Sequence, residues 1–134
     1  MNEEYVIIDS EGKKLNIEYL YTVDDYITFN IKVKSQEFSG VSNFSMSKES
    51  VTSIIENLSI MYEKLKGFCE IKDCDSDANI KIEMDKYGHL YVFGQIGGSH
   101  EDHFMKFKFK ADQTVLGRFM KVLKHYYKKD DVNN

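Results

Sequence analysis

The sequence has no proline and no tryptophan, only two cysteines among 134 residues, and no apolar run near the roughly 18 residues that a membrane-spanning helix needs. Each absence excludes something. Without proline or a Gly/Ser-rich stretch, no composition break marks a linker, so one domain over residues 1–127 is expected, with the polar residues 128–134 as a fraying tail. The start, Met1-Asn2-Glu3-Glu4, lacks the basic and apolar segments of a secretion signal, and a cytoplasmic location is the expectation. Cys69 and Cys74 are then expected to be free thiols. Positive charge is also short: 18 basic against 22 acidic side chains give a net charge of −4. A general nucleic-acid binder carries a basic excess, so direct binding to DNA or RNA is not expected, and a basic protein partner fits better.

Catalytic signatures are missing as well. There is no Gly-x-Ser-x-Gly, no phosphate loop and no cysteine in a nucleophile context; Gly94-Gln95-Ile96-Gly97-Gly98 has no Lys-Ser/Thr ending and reads as turn chemistry. Asp73-Cys74-Asp75-Ser76-Asp77 opens with the alternating carboxylates of a calcium loop. It then places Ala78 where glycine is needed and Met84 where a bidentate glutamate is needed. His100-Glu101-Asp102-His103 has a His-x-x-His spacing, but it follows Gly97-Gly98-Ser99 and reads as a hairpin loop without further paired ligands. No catalytic, metal or cofactor site is therefore expected.

What is present is alternation. Nine Tyr and nine Phe favour strands, and strand patterns fall at residues 5–8, 14–21, 26–34, 38–46, 68–72, 79–84, 90–96 and 103–111. A helix capped by Ser47 is expected to run to about Lys66, with Val51, Ile54, Ile55, Leu58, Tyr62 and Leu65 on its apolar face and Gly67 as its stop. A second helix is expected from about Gln113 to Tyr127, started by Asp112, with Val115, Leu116, Phe119, Met120 and Leu123 at helical spacing. The order ββββα-ββββα predicts an α+β domain of about eight largely antiparallel strands and two helices. The two halves share a layout with little residue identity.

Two strands near the end carry the most information. Residues 103–111 place Met105, Phe107 and Phe109 on one side and Lys106, Lys108 and Lys110 on the other, a half-buried antiparallel pattern. Lysines interleaved with aromatics also resemble the strand of an RNA-recognition module, but there the rings must be exposed, and here they precede a helix that needs a surface to pack on. The strand over residues 90–96 has apolar bulk on both faces: Leu90, Val92 and Ile96 oppose His89, Tyr91, Phe93 and Gln95. Either the second face is covered by curled sheet or loops, or it is an aromatic patch for a partner.

The Gly88-His89-containing strand, the run FKFKADQTVLGRFMKVL and the terminal helix together resemble the WapI-type immunity proteins of bacteria. The match covers roughly residues 68–127, and Asp112-Gln113-Thr114 with Leu116 is its most specific part. The resemblance implies a small cytoplasmic protein that binds and silences the toxic module of a secreted or cell-wall-associated toxin. Such modules, when they attack nucleic acid, tend to be basic. The expected partner-binding residues are accordingly the acidic turns, Asp73, Asp75, Asp77, Glu101 and Asp102, with Tyr91 and Phe93 as aromatic anchors. The alternatives are a small-ligand or regulatory binding module, which would show a concave apolar pocket, and an enzyme using Glu101, Asp102, His89 and His103.

Overall fold

Two tight turns set the first sheet. Glu11 and Gly12 have φ of 49° and 79°, and Asp24 and Asp25 have 52° and 64°, the paired positive values of the hairpin turn whose twist matches its strands. In the computed structural model, which describes residues 3–132, these turns join β1 (Glu3–Ser10) to β2 (Lys13–Val23) and β2 to β3 (Tyr26–Ser35). With β4 (Phe38–Ser47) they form an antiparallel sheet in the order β1-β2-β3-β4. After α1 (Lys48–Lys64), the strands β5 (Gly67–Lys72), β6 (Asn79–Met84), β7 (Leu90–Ile96) and β8 (Met105–Ala111) make a second antiparallel sheet in sequence order, followed by α2 (Thr114–Tyr127). The result is a single α+β domain of order ββββα-ββββα.

Alternation fills the core as expected. Leu15, Ile17, Phe29, Ile31 and Phe44 from the first sheet and Ile80, Ile82, Leu90, Val92 and Phe109 from the second are all fully buried. They join one cluster with the buried faces of both helices, and each such side chain contributes about 1.5–3 kcal/mol relative to exposure. The helices pack on each other, α1 also reaching β4 and β5 and α2 reaching β1. Tyr126 of α2 is fully buried, its hydroxyl lying 2.7 Å from the Glu3 carbonyl and 3.2 Å from that of Ile17, so α2 is fastened to both β1 and β2.

Three sequence expectations need correction. Ser47 does cap α1, accepting the Ser50 amide at 3.1 Å, but the helix ends earlier than Lys66, through Leu65 in the left-handed conformation (φ 55°). Its inward stripe is Val51, Ile54, Leu58 and Met61, so Tyr62 and Leu65 face solvent at 48% and 50% exposure. Strand β8 starts at Met105 rather than His103; His103 still belongs to the turn, its carbonyl oxygen packed so close to Gly97 (φ +84°) that a Cβ there would lie 3.0 Å from it. Finally, the tail is held where fraying was expected: Val132 donates its amide to Thr22 at 2.8 Å, and the Lys129 ammonium pairs with Glu3. Residues 133 and 134 lie outside the described residues.

The relation between the two sheets positions the rest. Ser45 of β4 exchanges backbone contact with the end of β5, accepting from the Cys74 amide at 3.0 Å, and five residues earlier a Cβ on Gly40 would touch Ile96 and Met105. Strand β4 thus lies across the ends of the second sheet, on the side where residues 73–78 and 97–104 turn.

Candidate functional site

Two loops meet at that end of the second sheet. The β5–β6 connection closes on itself through Asp73 N to Ala78 O at 3.2 Å. The β7–β8 connection turns at Gly97 and again through Glu101 N to Gly98 O at 3.0 Å. Asp77 joins them: its Oδ1 accepts the Ser99 amide at 2.8 Å, and its Oδ2 accepts the Ser99 hydroxyl. These hydrogen bonds favour the charged form and hold the Asp77 carboxyl below its ordinary range. Buried Gln95 completes the joint, its Nε2 donating to Gly97 O at 2.9 Å, to the Ser99 hydroxyl at 3.2 Å and to Asp77 Oδ1 at 3.3 Å.

The structure therefore brings the two expected acidic turns together and sorts their carboxylates into two roles. Asp73 is no exposed knob. It is 8% exposed, its Oδ1 taking the Ser45 amide at 3.0 Å and its Oδ2 the Ser76 hydroxyl at 2.7 Å. Its work is to seat β4 on the loop, because an edge amide left without an acceptor there is costly. Asp77 is exposed but engaged. Asp75, Glu101 and Asp102 stand at the loop tips, exposed and, among the described residues, without an ion pair.

The calcium-loop pattern does not converge, since Asp77 turns to Ser99. The ligand atoms that do lie within 4.8 Å of one another are those of Asp73, Cys74 and Asp75, and both Asp73 oxygens already accept hydrogen bonds. Cys69 and Cys74 are free thiols. Burial raises both, the Cys69 thiol to about 11, which leaves it protonated and unreactive at neutral pH. His100 and His103 sit in the loop, exposed, as their surroundings predicted.

Tyr91 and Phe93 lie apart from the acidic turns. They are half-buried on the outer face of the second sheet. Lysines partly shade them: Lys108 Nζ lies 5.0 Å from the Tyr91 ring centre and 5.9 Å from that of Phe93, and Lys81 Nζ lies 5.9 Å from Phe93. The cause is register, which sets Tyr91 opposite Lys110 and Phe93 opposite Lys108 on one side and opposite Lys81 on the other. These rings stand in a basic setting beside the acidic loop end. Sequence reading placed the lysines and the rings on separate strands without joining them; the period-2 alternation of both strands about one hairpin was the available signal.

A profile of the immunity protein WapI-like family matches residues 6–130, reaching through the first sheet, well beyond the C-terminal segment that suggested the resemblance. The chain belongs to the immunity protein WapI-like family. No curated protein matches it. Among solved structures, a chain in the crystal structures of Trypanosoma bruciei MRP1/MRP2 is similar, with a TM-score of 0.52 at 8% identity, over 93% of this chain and 82% of that one. At that identity the likeness is of fold alone. Membership of an immunity family implies a protein partner in general.

Proposed function

We propose that this immunity protein acts in the cytosol by non-covalent capture of a cognate toxin module, without turnover of its own, and that the joined loop end of the second sheet is its contact surface. The observation that carries the reading is the Asp77–Ser99 joint, which holds two acidic turns side by side and leaves Asp75, Glu101 and Asp102 outward. A basic partner surface would meet three exposed carboxylates on two loops whose roots are joined. Such an arrangement favours fast encounter and selectivity, and the rigidity of the loop roots lowers the ordering cost of binding.

The test uses the toxin module against parent and the variant combining Asp75→Asn, Glu101→Gln and Asp102→Asn, titrated at two ionic strengths. Affinity is expected to fall by about tenfold or more at low salt, with the difference narrowing as salt screens the contact. Asp73 and Asp77 are left intact so that the loops keep their shape. Equal affinity for parent and variant at both ionic strengths would remove the loop end as the contact surface.

A further inference from the structure

We propose that the outer face of the second sheet is a binding site for single-stranded nucleic acid, with bases on Tyr91 and Phe93 and phosphates on Lys106, Lys108 and Lys110. The overall charge of −4 hides this because it averages over faces that the fold separates. On β8 three lysines alternate outward, all exposed. Residues two apart on a strand are about 6.8 Å apart along it, a spacing an extended single strand can follow with one phosphate per lysine.

The neighbouring strand supplies the second half of the chemistry. Tyr91 and Phe93 point the same way as the lysines and lie directly opposite Lys110 and Lys108, so each ring has an ammonium at its side. Rows of aromatic and cationic side chains on an open sheet are what base stacking combined with phosphate neutralisation requires. Lys108, which lies over both rings, is exposed and can trade a ring for a phosphate as a base arrives. A duplex is not the fit, since its bases are already stacked.

The charge of the face also sets the path. Of the two carboxylates on it, Glu70 lies on the far strand β5, while Glu83 of β6 lies opposite Tyr91 on the side away from β8, and the acidic loops stand beyond Ile96. Phosphates are therefore steered along β8 and stopped at the loop end. Beside Phe93, over Gly94, lies a hollow of about 310 Å³ bordered by Asn79, Gln95 and Lys106. The Asn79 side-chain oxygen is buried at its border without a hydrogen-bond partner.

The experiment is fluorescence anisotropy of the full chain with a labelled 12-nucleotide oligo-dT or oligo-U, the same length of duplex, and the same backbone with abasic sites. Parent protein is expected to bind the single strands at low salt at least tenfold more tightly than duplex or abasic strand. Lys108→Gln with Lys110→Gln should weaken binding about tenfold and reduce the salt slope by about 1.4, at about 0.7 per lost phosphate contact. Phe93→Leu should weaken binding to the base-bearing strand and leave abasic binding unchanged. Thermal melting of each variant separates loss of binding from loss of fold. Absence of saturable binding, equal binding of abasic strand, or unaltered binding by the lysine variant overturns the proposal. So does competition for this face by poly-glutamate alone, which would make it a docking surface for acidic protein. Toxin titration of the same lysine variant keeps this site distinct from the loop end.

Discussion

Asp73 and Asp75 differ by two positions and by everything that decides what a carboxylate does. One accepts a strand amide and a serine hydroxyl in a buried position, and the other stands at a loop tip. Asp73→Ala is expected to cost about 1–3 kcal/mol because the Ser45 amide loses its acceptor. Asp75→Ala should stay within about 0.5 kcal/mol of the parent. Chemical denaturation of the two variants checks this, and equal effects would contradict the division of roles. Sequence alone could not sort these residues. Alternating aspartates in a turn look alike until the partner is known, and the partners, Ser45 and Ser99, lie 28 residues before Asp73 and 22 residues after Asp77.

At the scale of elements the sequence was more legible, because periodicity and caps are local. The cap of α2 falls on Gln113, which makes no side-chain capping hydrogen bond, one residue after the expected Asp112, which instead accepts the Thr114 amide at 2.9 Å; the strand before it buries Phe107 and Phe109 as their alternation predicts. Local signals failed at the start of β8 and at the end of α1, where Gly67 was the obvious stop and Leu65 carries the left-handed turn. A glycine two residues away is not a substitute when the Leu65 amide must bond back to Met61 O at 2.8 Å. The left-handed conformation costs a non-glycine residue about 1–2 kcal/mol, and Leu65 is half exposed, so little packing offsets that cost. Leu65→Gly should therefore raise the melting temperature, while Asp112→Ala lowers stability by about 1 kcal/mol. A fall in melting temperature for the glycine variant would show that Leu65 contributes packing that outweighs its strain.

Across the whole molecule, the order of elements was readable and the docking of one sheet on the other was not. Nothing local says that β4 crosses the ends of β5, β7 and β8, or that the residues after α2 return to β1 and β2. Several carboxylates at these joints are held below their ordinary values: Glu3 by Lys129 and His125, Asp77 by Ser99, and Asp112 by Thr114. A depressed folded value gives stability that is fully present above the unfolded value and lost as pH falls through the folded one. The ordinary values are 4.5 for Glu3 and 3.8 for the two aspartates, so acid destabilisation should begin only below that range. Melting temperature measured against pH is expected to be nearly level through neutrality and to drop at the acid end. A steep change near neutral pH would point to histidine instead.

The loops that Asp77 and Ser99 tie together are constrained at their roots and uncommitted at their tips. Under the proposed mode of capture, this separates the residues a lineage must keep from those it is free to alter. Exchange at positions 75, 101 and 102 changes the charge presented to a partner while the joint, the crossing of β4 and the core stay as they are. A chain built this way can follow a changing adversary by small steps, each leaving a folded protein behind it.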